Sequence, residues 1–365
     1  MENNSKRSLM LHRHMILLAC ALVMVLTGCA TAYEGADLYG IYTSTLDGRN
    51  LKAVVYDSYR ELNHARVSPD GKWITFTRYN KKGLDGRATE LKGYKESEIM
   101  LVRTDGTGLE SIVPAKKGVI AANSYWTPDG KGLIYVSDDN PDGKGGDYHI
   151  DIATRKITRL PTPKDFVAAD PHQVGDKVTF TKIPGKGEKT VTVWLMNADG
   201  SNARQMGTPK FPNPDKRAHP LLGDYDPKLS PDGKKIAFFR HFGDDNWHIV
   251  VVDVETGQEK DLSAPVVMDG NPEWSSDGKL IIFWYGIKEP KLAYTMGLYT
   301  MKADGSGRKM VSNALPEGYF YTHPAFFPND GSGPDARIIF SARKEPILAD
   351  PRFRDPNRKR DGAAK

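Results

Sequence analysis

The sequence predicts an all-β protein: a six-bladed β-propeller of four-stranded antiparallel blades, closed by pairing of its N-terminal and C-terminal strands. Three observations carry this. A strand–turn–strand pattern built around Ser-Pro-Asp-Gly-Lys recurs along the chain. A second pattern, a strand ending at Asp-Gly or Thr-Gly with a short return strand, alternates with it. No long amphipathic helical pattern interrupts the series. Repeats of this length that cannot each bury a core mean a propeller or an array.

The first pattern reads VSPDGKWITFTR at 67–78, WTPDGKGLIYVS at 126–137, LSPDGKKIAFFR at 229–240, WSSDGKLIIFWY at 274–285 and FPNDGSGPDARIIFSAR at 327–343, with VGDKVTFTK at 174–182 as a degenerate copy. Proline fixes φ at the first corner of such a turn, and Asp-Gly tolerates the positive φ a hairpin needs. The apolar–polar alternation that follows is a strand signature. The turn aspartates Asp70, Asp129, Asp176, Asp232, Asp277 and Asp330 stand 45–59 residues apart, the size of a four-stranded blade.

The second pattern reads EIMLVRTDGTGLESIV at 98–113, TVWLMNADGSNARQMG at 192–207 and GLYTMKADGSGRKMVS at 297–312, with weaker copies at 148–161 and 248–263. A sixth copy, at 37–55, precedes the first Ser-Pro-Asp-Gly turn. The order is therefore circularly shifted. The N-terminal hairpin and the hairpin at 321–342 each lack a partner, and pairing them in one blade removes the open sheet edges.

The Ser-Pro-Asp-Gly-Lys turns at 68–72 and 230–234 and the Met-x-Ala-Asp-Gly-Ser strand ends at 196–201 and 301–306 resemble the TolB-like, WD40-like (PD40) propellers of bacterial envelopes. The resemblance covers almost the whole mature chain and implies the fold more than an activity. TolB itself has a separate α/β domain before its propeller, for which the sequence leaves no room, so the expectation is a lipoprotein member of the family.

Residues 1–28 read as a lipoprotein signal peptide: Lys6, Arg7 and Arg13 precede an apolar run over 15–26 that is too short to span a bilayer. Leu26-Thr27-Gly28-Cys29 resembles the bacterial lipobox, which implies cleavage before Cys29 and a diacylglycerol on its thiol. Ordinary cleavage near Ala30 or Ala32, with Cys29 discarded, is the alternative. In lipoproteins an aspartate after the cysteine marks inner-membrane retention. Ala30 stands there, so the outer membrane, facing the periplasm, is expected. Residues 29–36 are then a lipidated tether, 37–345 the propeller and 346–365 a disordered basic tail. Cys20 falls in the signal, which leaves no disulfide to form.

The net charge of +5 comes from the signal and the tail, whose last sixteen residues hold six basic and three acidic side chains. The propeller body is near neutral. That argues against nucleic acid as a partner. The tail reads either as a solvated end or as a contact for anionic lipid or cell-wall polymer.

Aligning the innermost strands by the turns that follow them places His64, Asn123, Asp170, Asp226, Asn271 and His323 at one equivalent position. Proline follows four of them, at Pro171, Pro227, Pro272 and Pro324. Proline is tolerated only on an unpaired sheet edge, which in a propeller is the edge on the central channel. It also pushes the preceding residue toward extended geometry. The six are expected to ring the channel near one mouth, with Arg66, His172, Lys228 and Glu273 two residues on and on the same side. Either they seal blade to blade through hydrogen bonds, or they form a polar funnel that grips a ligand.

The functional expectation is a monomeric, membrane-anchored binding scaffold. Its partner would be an envelope protein, a peptide or a cell-wall ligand. The alternative is a metal-dependent carbohydrate enzyme, since similar propellers, the oligogalacturonate lyases, hold manganese through histidines, and His64, His172, His219 and His323 are available. No short metal-ligand spacing is present. No Gly-x-Ser-x-Gly elbow for a serine hydrolase is present either. No cofactor is expected beyond two open metal readings: a transition metal, or calcium at Asp138, Asn140 and Asp142, where the distal glutamate of a calcium loop is missing. Insertions at 79–97 and 209–223 are candidate contact loops. The six tryptophans read as inter-blade core or as a sugar-stacking platform.

Overall fold

In the computed structural model the chain is described over residues 39–344, apart from 59, 80–94, 142, 164–165, 186, 189, 210–221, 244–245, 265–266, 290–291 and 312–318. Cys29, the expected signal, tether and tail, Asp142, His219 and most of both insertions lie outside the described residues. All regular structure among the described residues is strand.

The strands pair antiparallel in consecutive runs of four. β3 (Leu62–Val67), β4 (Trp73–Arg78), β5 (Glu98–Arg103) and β6 (Glu110–Val113) form one sheet, and β7 (Ala121–Trp126), β8 (Gly132–Ser137), β9 (Gly146–Asp151) and β10 (Ile157–Arg159) a second. Three further runs follow: β11 (Val167–Val174) to β14 (Arg204–Met206), β15 (Leu222–Leu229) to β18 (Glu259–Asp261), and β19 (Met268–Trp274) to β22 (Lys309–Met310). The remaining sheet is assembled from both ends of the chain. β1 (Tyr39–Thr45) lies between β2 (Lys52–Asp57) and β24 (Arg337–Lys344), and β24 pairs in turn with β23 (Tyr319–Phe326).

Separate four-stranded sheets were expected throughout, and the three central runs depart from this by joining into one sheet of twelve strands. The cause is local. Parallel bridges Thr190↔Leu222, Val191↔Gly223 and Trp247↔Met268 link neighbouring runs. Gly223, at φ 140°, lies so close to the Val191 backbone that a Cβ would collide with it.

The Ser-Pro-Asp-Gly-Lys turns owe their recurrence to a shared hydrogen-bond set. Ser68 Oγ donates to Asp70 Oδ1 at 2.6 Å and accepts from Trp73 N at 2.9 Å, while Asp70 Oδ1 also accepts from Lys72 N. The same bonds recur at Thr127/Asp129, Ser230/Asp232 and Ser275/Asp277. Glycine alone takes the positive φ, at 74° in Gly71 and 66° in Gly233, and the aspartate organises the turn with its carboxylate. The Asp-Gly turns of the second pattern dock on the preceding run. A Cβ on Gly106 would sit 2.9 Å from Val54 O, and one on Gly305 3.1 Å from Leu262 Cδ2.

The core is divided among the gaps between neighbouring runs. Ile41, Leu62, Ile74, Phe76 and Ile339 fill one, Leu101, Leu133 and Ile150 the next, and Val193, Ile236, Phe238 and Val250 another. Each fully buried Ile or Phe contributes about 1.5–3 kcal/mol. The inner strands pack one on the next in a cycle: β3 on β7, β7 on β11, β11 on β15, β15 on β19, β19 on β23, and β23 on β3. At one end of the strands the connections are short turns, apart from the ten-residue link 327–336 between β23 and β24. At the other end β1 begins and β24 finishes, with Tyr39 paired to Arg343, and the strands that flank both insertions finish or begin there too.

Candidate functional site

Each inner strand carries the same irregularity. The ladder slips between Asn63 and Arg66, Ala122 and Tyr125, Ala169 and His172, Tyr225 and Lys228, Gly270 and Glu273, and Thr322 and Ala325. The first unpaired residue of each bulge is left-handed: φ is 57° at His64, 54° at Asn123, Asp170 and Asp226, 47° at Asn271 and 51° at His323. This corrects the expectation of extended geometry before the prolines. A bulge adds a residue that the ladder cannot pair, and the proline fits there because no N–H is needed. A left-handed residue favours types that bear positive φ at low cost, which outside glycine are chiefly Asn, Asp and His. The backbone therefore already restricts the residue types at this position.

These six side chains interact around the cycle of inner strands. The His64 and His323 rings stack with centroids 3.6 Å apart. Tyr79 Oη lies 3.4 Å from both His64 Nδ1 and Asn123 Oδ1. Asn123 Nδ2 donates to Asp170 Oδ1 at 2.5 Å, and Asn271 Nδ2 to Asp226 Oδ2 at 2.8 Å. Trp284 Nε1 donates to Asn271 Oδ1 at 2.6 Å. Threonines of the neighbouring second strands hold the bulges from behind, with Asn123 N donating to Thr77 Oγ1 and Asp226 N to Thr181 Oγ1.

Two residues on, toward the tight turns, lies a second level: Arg66, Tyr125, His172, Lys228, Glu273 and Ala325. Its charged members do not line an open funnel, one of the two arrangements the sequence left open. Lys228 is 0% exposed, Arg66 5% and Glu273 9%. Lys228 Nζ bonds Asp226 Oδ1 from below. Arg66 donates to Tyr125 Oη at 2.7 Å and faces Glu273 at 3.4 Å. Arg66 and Lys228 each lie 4.7 Å from the Tyr125 ring centroid, and His172 meets that ring edge-on. Arg66 Nε, Glu273 Oε2 and His323 Nδ1 have no hydrogen-bond partner. The lower level is a buried ionic floor beneath a polar ring in which His64 and Asp226 are buried and the other four half-buried.

Electrostatics follow from that burial. Desolvation, aided by Arg66 and Lys228, pushes the His323 imidazole down to about 3. Desolvation and Lys228 push His172 to about 3, and desolvation with His323 holds His64 well below its usual value. All three are neutral at pH 7. Burial and the Asp226 charge raise Asp170 to about 6. Burial also acts on Asp226, but Lys228 and Arg66 outweigh it and keep that carboxylate ionised. For Glu273 burial wins over Arg66 and Lys228, and its carboxyl sits above the usual range.

No family model matches the chain, and no curated protein does. Among solved structures, TolB from Acinetobacter baumannii superposes with a TM-score of 0.57 at 18% identity, covering 86% of this chain and 71% of its own. A putative TolB from Agrobacterium tumefaciens gives 0.59 at 14% identity, over 85% and 99%. The fold is that of the TolB-like β-propeller. An oligogalacturonate lyase from Vibrio parahaemolyticus aligns more loosely, at a TM-score of 0.46 and 14% identity over 82% and 81%. At these identities the likeness concerns the fold alone.

In this TolB-like propeller the other candidate residues have specific partners. Asp138 Oδ1 accepts from Ile120 N, and Asn140 Nδ2 donates to Lys144 O and Tyr148 Oη. His172 Nδ1 accepts from Leu229 N at 3.0 Å. Among the described residues no three His, Cys, Asp or Glu side chains are placed to hold a metal. The indoles of Trp126 and Trp274 donate to Arg66 O and Lys228 O, which makes them braces between inner strands. Sequence reading missed Tyr125, which stands two residues after Asn123 as Arg66 does after His64. It also missed the Thr-Phe-Thr segments at 75–77 and 179–181 whose hydroxyls reach across to the bulges.

Proposed function

We propose that the chain is a six-bladed, closed TolB-like propeller, held at an envelope membrane through Cys29. It acts as a scaffold that binds a protein, peptide or cell-wall ligand at the polar ring. Closure is supported by the β1–β24 pairing and by the packing of β23 on β3. The observation that carries the binding reading is the two-level construction. Amide, carboxyl and imidazole groups, four of them half-buried, stand above a buried ionic floor, and this supports recognition at the ring end. The strands that flank both insertions finish or begin at that end, where connections on a rigid frame are free to vary. Ala30 after Cys29 supports outer-membrane attachment on the periplasmic side in a Gram-negative envelope.

The test is photocrosslinking in intact cells. A photoreactive residue at Tyr319, at the ring end of β23, should trap a discrete ligand, while one at Lys279, on the tight turns, should trap none. Adducts formed only from Lys279 would overturn the reading. Cys29→Ser should move the protein from the membrane to the soluble fraction, and an unchanged membrane fraction would remove the anchor.

A further inference from the structure

The opposite end of the strands holds a cleft unconnected with the polar ring. It lies between the β3–β6 and β7–β10 sheets and has a volume of about 510 Å³, within the ~300–1,000 Å³ usual for ligand pockets. Trp73 lines it from one sheet and Trp126 from the next, over a floor of Leu101 and Ile152. Three carboxylates stand at its rim: Asp70, Asp129 and Glu110. The other gaps between these turns lack this pairing, because Gly132, Lys177, Lys235, Leu280 and Arg337 occupy the position of Trp73.

The three carboxylates differ in what already neutralises them. Glu110 pairs with Arg155 at 2.9 Å, and Asp70 Oδ2 lies 3.6 Å from Lys72 Nζ. Asp129 spends only Oδ1, on Thr127 Oγ1 and Lys131 N. Its Oδ2 has no hydrogen bond or ion pair among the described residues. Those same bonds, Thr127 first, keep the carboxyl ionised well into the acid range. The cleft thus offers two indole faces, an apolar floor and one uncommitted negative charge. Indoles attract cations through their π-faces, tryptophan most strongly. The protein uses this nearby, where the Arg103 guanidinium lies 4.5 Å over the Trp73 ring.

A flat cation fits this set better than a compact one. A guanidinium stacks on an aromatic face while its in-plane N–H groups reach a carboxylate, whereas an ammonium is a strongly hydrated point charge. We propose that the cleft binds the arginine side chain of a peptide segment, stacked on Trp73 and Trp126 and paired with Asp129 Oδ2. This site is independent of the polar ring and of the membrane anchor.

The test uses the full soluble domain and two peptides, Ac-Gly-Arg-Gly-amide and the same peptide with citrulline, which keeps the shape and loses the charge. Binding is followed by NMR of the tryptophan indole N–H signals. The arginine peptide should shift the Trp73 and Trp126 signals and bind about fivefold or more tightly than the citrulline peptide, a margin of order one surface charge contact. Asp129→Asn keeps an acceptor oxygen for the turn and should lose that margin, as should 0.5 M salt. Trp73→Leu should weaken both peptides. Equal binding of the two peptides, an unchanged margin in Asp129→Asn, or shifts produced by maltotriose but by neither peptide would overturn the assignment. An unchanged melting temperature in Asp129→Asn ensures that a lost margin reports the charge.

Discussion

The imidazole of His64, from β3, and that of His323, from β23, stack 3.6 Å apart where the first and last inner strands meet. Neither ring can take a proton there without facing its neighbour, Arg66 and Lys228. In the unfolded chain each would protonate near pH ~6.5. The stability that comes from keeping them neutral is therefore complete above pH 6.5. It is lost as pH falls from there toward 3, and His172 adds to the same slope. Asp170, raised to about 6, works in the opposite sense over an overlapping window. A His64→Asn/His323→Asn variant keeps residues that bear positive φ, and its melting temperature should fall less between pH 6.5 and 4 than that of the wild type. Parallel curves from calorimetry would mean the rings are not held neutral.

The bulge geometry has its own signature. Asn271→Gly and Asn271→Val both lose the bonds to Asp226 and Trp284, so the difference between them isolates the backbone. At φ 47° a β-branched residue is strained and glycine is not. Valine should be less stable than glycine by about 1–3 kcal/mol in urea denaturation. Equal stabilities would show that the bulge relaxes in the variants.

Lys228 is fully buried with Asp226 as its counter-ion. Breaking such a pair from one side costs about 3–5 kcal/mol, while replacing both partners costs far less. Asp226→Asn alone should be severely destabilised, and Asp226→Asn/Lys228→Met should recover most of the loss. A double variant no better than the single would assign the effect to the other bonds of Asp226 rather than to the stranded ammonium.

Asp147 is fully buried with neither carboxyl oxygen hydrogen-bonded, and burial, reinforced by Asp170, raises its pKa well above the usual range. Below pH ~3.9 the carboxyl is neutral in both folded and unfolded chains. As pH rises the unfolded chain ionises first, so stability falls through the window up to the folded pKa. Asp147→Asn, which cannot ionise, should be more stable than wild type by about 1–3 kcal/mol at pH 7. The two should converge near pH 3, and a gap that persists there would locate the effect in packing.

Much of the fold was legible because its turns are chemically explicit. Ser-Pro-Asp-Gly-Lys encodes a serine, a carboxylate and a glycine whose bonds are all local, so the string alone reports the structure. The equivalence of His64, Asn123, Asp170, Asp226, Asn271 and His323 was legible by alignment for the same reason. Their conformation was not. Proline points to an unpaired edge, and a bulge satisfies that condition as well as an extended strand does. The burial of Arg66, Lys228 and Glu273 was hidden because it depends on what the other inner strands contribute. Tyr125 fills the space between two cations from a strand whose sequence says nothing about them. Asp147 was out of reach too, since its isolation is a property of the gap between β9 and β11.

The seam between β1 and β24 bears on how such a chain matures. The hairpin at 39–57 is synthesised long before its permanent neighbour, the strand at 337–344. Until then it exposes a strand edge able to recruit whatever extended chain is nearby. A polypeptide that ended before Arg337 would carry two unclosed edges and be prone to coalesce with its own copies.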